Sequence, residues 1–166
     1  MKTKLLALAL VSLFAVNGAM AQEQGDMRAG IGVVIGTKAG VDADGSKAGF
    51  GLSPSFEYVF ADAISGAVSY DWYFKSTVGG TDINIASFNI DGRYYFVTGD
   101  TQVYGLAGIG IIRNEIGPLS DSETGLNIGA GATFGLSDSM GINGQIKYQT
   151  PGDGQLVIGA GVVFMF

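Results

Sequence analysis

The sequence predicts an all-β fold, an eight-stranded antiparallel up-and-down transmembrane β-barrel, on three observations. Eight segments alternate apolar with small or polar residues at a period of two, which gives each segment the two unlike faces of a strand. Longer and shorter connections alternate between these segments, and the aromatic residues gather near segment ends. The last segment shows the pattern most plainly. Phe166, Phe164, Val162, Ala160, Ile158 and Leu156 form an apolar set, and the opposite set includes Gln155, Gly159 and Gly161. In a soluble sandwich further chain would cover that apolar face, whereas here the chain stops on a bare aromatic, so the face is expected to look outward at lipid.

Composition bounds the rest. At 166 residues the chain suits one domain. With 47% hydrophobic and 14% charged residues it is too apolar for disorder, and its 28 glycines do not recur at every third position as in collagen. Lys2 and Lys4, the apolar run from Leu5 to Val16 and the small-x-small Ala19-Met20-Ala21 before Gln22 read as a cleaved secretory signal over residues 1–21. The barrel domain is then 22–166. The apolar run is too short for an anchor, since a spanning helix needs roughly 20 residues. Without Cys there is neither a lipoprotein acylation site nor a disulfide framework, and closing a sheet on itself remains as a stabilising device. Removal of the signal leaves 15 acidic against seven basic residues, a net charge of −8 that argues against nucleic acid as a partner. Gly and polar residues break every later apolar run, so a membrane-spanning form must be a barrel.

Taken in order, Arg28 to Lys38 sets Ala29, Ile31, Val33 and Ile35 against Arg28, Gly30, Gly32 and Gly36, and a loop follows over Ala39 to Lys47. Ala48 to Phe60 sets Leu52, Phe56, Tyr58 and Phe60 against Gly51, Ser53, Ser55 and Glu57, with Pro54 as a candidate edge or bulge. Ile64 to Phe74 alternates Val68, Tyr70, Trp72 and Phe74 with Ser65, Ala67, Ser69, Asp71 and Tyr73, ahead of a loop over Lys75 to Asp82 with Gly79-Gly80 at its tip. Asn84 to Phe96 alternates Phe88, Ile90, Tyr94 and Phe96 with Ser87, Asn89, Asp91, Arg93 and Tyr95. Gly105, Gly108 and Gly110 blur Gln102 to Arg113, where Tyr104, Leu106 and Ile112 are read as outward. A loop over Asn114 to Glu123 leads to Thr124 to Leu136, with Leu126, Ile128, Ala130, Ala132 and Phe134 outward. Met140 to Thr150 opposes Met140, Ile142, Ile146 and Tyr148 to Gly141, Asn143, Gln145, Lys147 and Gln149, and Pro151-Gly152-Asp153-Gly154 turns into the last strand.

Each segment is long enough to cross a band of roughly 25 Å at a tilt near 40°. With both termini on the periplasmic side, Tyr58, Phe60, Tyr94, Phe96, Phe134, Phe164 and Phe166 form a lower aromatic girdle and Tyr70, Trp72, Phe74 and Tyr148 an upper one. From Arg28 to Phe166 the chain resembles the small eight-stranded bacterial outer-membrane barrels of the OmpA/OmpX type, also described as the outer membrane protein beta-barrel domain or porin family. The resemblance implies the outer membrane of a Gram-negative bacterium, and outer-membrane lipid and lipopolysaccharide as surroundings. It also implies that Phe166 is part of the signal read by the barrel assembly machinery, that the protein is a monomer, and that the peptidoglycan-binding domain of larger relatives is absent.

Inward positions carry Arg28, Arg93 and Lys147 against Glu57, Asp71 and Asp91, a balanced lumen charge network. An eight-stranded lumen is only wide enough for side chains to fill it, and charges there must pair. A polar plug is therefore expected, in a non-enzymatic barrel serving envelope structure and surface interaction. The alternative is a narrow channel for ions or small solutes, kept open because Gly30, Gly32, Gly36, Gly159 and Gly161 leave one wall with almost no volume. Either Arg93, Lys147, Tyr73 and Tyr95 fill that space or a small water-filled cavity remains.

Enzyme readings are weak. No His and no Cys excludes His-assisted hydrolysis and thiol chemistry, and an Asp71–Asp91 acid–base pair competes with ordinary pairing to Arg93 or Lys147. The repeats Gly30-Gly32, Gly129-Gly131 and Gly159-Gly161 lack the strand-to-helix setting of a nucleotide loop. Asp42-Ala43-Asp44-Gly45 is only a fragment of a calcium loop and reads as a turn. No cofactor and no metal are expected.

Overall fold

A computed structural model describes residues 24–166, so the signal sequence over residues 1–21 lies outside the described residues. Nine strands run β1 Met27–Asp42, β2 Gly45–Ala61, β3 Ile64–Tyr73, β4 Ser76–Val78, β5 Thr81–Val97, β6 Thr101–Ile116, β7 Leu119–Ser137, β8 Met140–Gln149 and β9 Gln155–Met165. Because β3 and β4 both pair with β5, they are two parts of one stave interrupted after Tyr73, and the barrel has eight staves. All pairings are antiparallel between chain neighbours, and β1 closes on β9 from Arg28 opposite Met165 to Gly36 opposite Val157. Phe166 extends the seam by exchanging backbone hydrogen bonds with Met27, at 2.9 and 3.3 Å. Closure leaves the barrel no unpaired edge to template further pairing.

Period two decides which face each residue shows. Ile31, Val33, Phe56, Tyr70, Trp72, Phe88, Ile90, Leu126, Ile128, Ile146 and Phe164 are exposed on the outside, while Arg28, Glu57, Asp71, Asn89, Thr133, Lys147 and Gln155 are buried within. The girdle positions Phe60, Phe74, Tyr94, Phe96, Phe134, Tyr148 and Phe166 are likewise exposed, and Tyr58 is half-buried. Tyr58 meets Phe60 edge-on with centroids 5.0 Å apart, and Tyr94 meets Phe96 at 5.3 Å. Phe60 and Phe96 lie over Gly66 and Gly105, so each ring covers the backbone of a glycine on the next strand.

Two readings of the sequence need correction. Tyr104, Leu106 and Ile112 point into the barrel, with exposures of 0%, 4% and 8%, and the outward set of β6 is Ala107, Ile109 and Ile111. The phase is inverted because glycines at Gly105, Gly108 and Gly110 leave too few side chains to fix it, and a tyrosine suits either face. The loops at residues 39–47, 75–82 and 114–123 are mostly strand. β1–β2, β4–β5 and β6–β7 continue as hairpins whose tips contain Ala43-Asp44, Gly79-Gly80 and Gly117-Pro118. Both residues of the Gly79-Gly80 tip have positive φ, 59° and 82°, as the tightest hairpin turns require.

Pro54 does not break β2. Pairing with β1 continues through Ile31 opposite Pro54, whereas the β2–β3 ladder lacks the pairs at Ser53 and Pro54 and resumes in the same register at Ser55 opposite Ser69. The residue without an N–H therefore faces the side where the ladder skips.

At the seam Gly32 stands opposite Gly161. A Cβ on Gly161 would press into the Ile31 carbonyl and the Gly32 backbone, which only a shift of β1 against β9 relieves. Gly161→Ala is expected to destabilise the barrel by about 1–3 kcal/mol, seen as a lower urea midpoint in lipid vesicles and a lower temperature at which the folded gel band is lost; an unchanged midpoint would show that the seam yields freely. At the base of the β4–β5 hairpin, Asp82 accepts from Lys75 Nζ at 2.8 Å and Thr77 Oγ1 at 2.7 Å, and these two donors, the lysine first, lower its pKa below the ordinary 3.8. A lowered folded pKa means that the contribution is present above the ordinary value and is lost as pH falls through the lower one. In NMR titration Asp82 should titrate below 3.8, and Lys75→Ala should move its midpoint up; no movement would remove Lys75 as the cause.

Candidate functional site: the barrel lumen

Alternation along the eight staves delivers the lumen's polar groups, and they assemble at two levels. Toward the end of the barrel that carries both termini, Glu57 on β2 is the hub. Its Oε2 accepts from Arg93 at 2.6 Å, and its Oε1 accepts from Ser65 Oγ and Tyr95 OH, each at 2.5 Å. Arg28 donates to Gln102 Oε1 at 2.7 Å and to Tyr95 OH at 3.2 Å. Both guanidinium groups also sit over rings, Arg93 at 4.6 Å from the Tyr104 centroid and Arg28 at 5.5 Å from Tyr95. Tyr95, Tyr104 and Leu106 pack together around these charges.

Above lies the second level. Asp71 Oδ2 stands 3.2 Å from Lys147 Nζ, as an ion pair off the line of a well-aligned hydrogen bond, and both side chains are wholly shielded from solvent. The carboxylate also accepts from Ser53 Oγ at 2.6 Å and Asn89 Nδ2 at 3.0 Å. Asp91 is held by Asn127 Nδ2 at 2.8 Å, and the same amide reaches Asn89 Oδ1 at 3.0 Å. Asp71 and Asp91 are thus tied through Asn89 and Asn127 as separate acceptors. Neither is placed as the partner of a shared proton.

The charged positions singled out in the sequence therefore divide into Arg28, Glu57 and Arg93 below and Asp71, Asp91 and Lys147 above. The amides joining them, Asn89, Gln102, Asn127, Asn143, Gln145, Gln149 and Gln155, were not singled out. Alternation places most of them inside, but a neutral amide carries no charge to flag it, and the inverted phase of β6 hides Gln102. The glycine wall is only partly filled. Gly30, Gly32, Gly159 and Gly161, with Arg28, Glu57, Arg93 and Gln145, border a cavity of about 50 Å³, enough for a few waters.

A model of the family described as "Outer membrane protein beta-barrel domain" matches residues 6–166. The chain belongs to this family. Its relatives are Gram-negative outer-membrane proteins, and the exposed apolar outside of the barrel is accordingly its membrane face. The fold is similar to that of Ail, the attachment invasion locus protein of Yersinia pestis, solved in complex with the heparin analogue sucrose octasulfate, at TM-score 0.64 and 21% identity over 86% of this chain and 99% of that one. The N-terminal β-barrel domain of Pseudomonas aeruginosa OprF aligns at TM-score 0.66 and 21% identity over 87% of this chain and 100% of that one. Pseudomonas aeruginosa OprG aligns at TM-score 0.67 and 15% identity over 90% and 99%. Against curated proteins the sequence has no match. At these identities the likeness to solved structures establishes the fold.

The ion pair yields a stability test. Lys147→Met removes one partner and leaves Asp71 as a buried unpaired charge, which costs about 3–5 kcal/mol. Adding Asp71→Asn should recover most of that loss. Urea unfolding of both variants in vesicles checks it, and a single variant as stable as the parent would mean that the pair is not buried in the folded barrel.

Proposed function

We propose that this protein is a non-enzymatic barrel of the outer membrane, exported by cleavage of residues 1–21, with a plugged lumen and a role in envelope structure and surface interaction. The observation that carries the plug is the Asp71–Lys147 pair, at 0% exposure on both sides. Together with Ser53, Asn89, Asn127 and Gln149 it ties β2, β3, β5, β7 and β8 across the bore. In so small a barrel this leaves side chains, and no continuous water, along the axis. The cavity at the glycine wall, about 50 Å³, is a pocket beside the plug rather than a passage through it.

The rim supports a particular kind of surface contact. Asp42, Asp44, Asp82, Glu115, Asp121, Glu123 and Asp153 outnumber Lys38, Lys47, Lys75 and Arg113 there, and three of the four cations are already paired, Lys47 with Asp42, Lys75 with Asp82 and Arg113 with Glu115. A sulfated polyanion such as the one bound to Ail finds little to hold. Divalent ions bridging to lipopolysaccharide, or a cationic partner, fit this charge. No His or Cys is available for hydrolytic chemistry, and the carboxylates inside are held by fixed donors, Glu57 by Arg93, Asp71 by Lys147 and Asn89, and Asp91 by Asn127.

Single-channel recording in planar bilayers tests the plug. The parent protein should give no discrete, reproducible current. Steps that change size or frequency on Arg93→Gln or Lys147→Met would replace the plug by a narrow ion channel.

A further inference from the structure

The lining of the bore changes along its length. At the outer end Ile83, Ile85 and Ile112 point inward and are more than nine-tenths buried, packed with Val34, Tyr73 and Val157, which reverses the usual polar interior of a transmembrane barrel. Beneath them lie the two charged levels. The lumen as a whole balances three cations against three anions, but neither level balances by itself. The upper one holds Asp71 and Asp91 against Lys147, and the lower one holds Arg28 and Arg93 against Glu57.

The lower level is therefore one negative charge short. Glu57 takes Arg93 directly, at 2.6 Å, and meets Arg28 only through Tyr95 OH, which accepts from Arg28 Nη1 and donates to Glu57 Oε1. No carboxylate among the described residues lies within ion-pair distance of Arg28, although the residue is only 2% exposed. A guanidinium does not lose its proton in a protein, and a buried charge without a counter-ion is strongly destabilising.

Space for a counter-ion exists at the glycine wall, where both arginines border the cavity of about 50 Å³. Two further donors reach it from β2 and β8, the strands that flank the β1–β9 seam on either side. Ser55 Oγ lies 2.7 Å from where a Cβ on Gly30 would stand, and Gln145 Nε2 lies 3.8 Å from the same point on Gly159. Both residues are half-buried, so they keep accessible surface. Gln145 turns Oε1 toward Arg93 Nη2 and Tyr104 OH, each at 3.4 Å, which leaves its Nε2 hydrogens for the cavity. The carboxylate of Glu57, by contrast, already accepts from Arg93, Ser65 and Tyr95. A water needs acceptors as well as donors, whereas an anion is served by donors alone.

We propose that this cavity is a binding site for one small monovalent anion of the halide class. Arg28 and Arg93 supply the charge, and Ser55 Oγ and Gln145 Nε2 donate the hydrogen bonds. At roughly 30 Å³ per water-sized unit, 50 Å³ admits one or two such units, which suits chloride or bromide and is too small for sulfate. The glycine wall then has a second use, because a side chain at Gly30 or Gly159 would occupy the site. The site goes beyond the plug and lies beside it, and it stands whether or not the bore conducts.

The test is a titration of the full mature chain in halide-free lipid nanodiscs with sodium chloride, bromide, sulfate and isethionate at matched ionic strength. It is read by NMR of the Gln145 side-chain amide and the backbone amides of Gly30, Gly32, Gly159 and Gly161. Chloride and bromide should shift these signals to saturation, while sulfate and isethionate leave them in place. Arg28→Gln removes the excess charge and should weaken chloride binding by about tenfold or more, the worth of one hydrogen-bonded charge. Gln145→Glu supplies the missing negative charge from within and should abolish the saturable response while the folded gel band persists. Gly159→Ala, whose Cβ would meet no atom nearer than 3.6 Å, should fold as the parent does and bind chloride more weakly. Signals that stay still in every salt mark a cavity holding water alone and overturn the site, as do signals that move equally in all four salts. Parent-like chloride affinity in both Arg28→Gln and Gln145→Glu would overturn the assignment of the ion to this cavity.

Discussion

The pairing of β1 with β9 is the constraint on which everything else hangs. In hydrocarbon a backbone N–H or C=O without a partner costs several kcal/mol, and water is not there to supply one. An open sheet of these strands would leave two such edges, so the barrel exists only when Arg28 through Gly36 find Val157 through Met165. Glycine on both sides lets the two backbones meet without side chains between them, and that same economy leaves the nearby lumen underfilled. The cavity beside Gly30, Gly32, Gly159 and Gly161 follows directly from a seam built for close approach.

Closure in turn dictates the chemistry inside. Eight staves enclose a bore too narrow for bulk water, so each inward polar group must be satisfied by another side chain. Charge alone does not achieve this. Three cations face three anions, yet Asp91 is held by an amide and Glu57 takes two of its donors from hydroxyl groups. Asn and Gln carry both a donor and an acceptor and can pass satisfaction from one stave to the next, which explains why so many lumen positions are neutral amides.

Much of this was legible in the sequence, and the misses have physical causes. Period two survives wherever one face meets lipid and the other the lumen, as in β5, where Phe88 and Ile90 alternate with Asn89 and Asp91. It fails in β6 because glycines show no preference for either face. Along the outer hairpins both faces meet solvent, so residues such as Ser120, Asp121, Ser122 and Glu123 are polar without alternation and read as loop although they are strand. The inward isoleucines at Ile83, Ile85 and Ile112 were hidden for the converse reason. They are apolar where the barrel pattern calls for polar residues, and only the register shows which way they point.

Two layers of the bore, the apolar one and the Asp71–Lys147 pair beneath it, act in the same direction on an ion. An ion first meets the apolar layer of Ile83, Ile85 and Ile112, where nothing replaces its hydration. It then meets the Asp71–Lys147 pair, which would have to be separated with neither partner in contact with water. The proposed plug therefore sets two barriers of opposite chemistry against an ion. Rotating the β5 pattern by one residue would bring Asn84 and Ala86 inward and remove the first barrier, while also turning Asn89 and Asp91 out toward lipid. The register that keeps Asn89 and Asp91 off the membrane face is the same one that turns Ile83 and Ile85 into the bore.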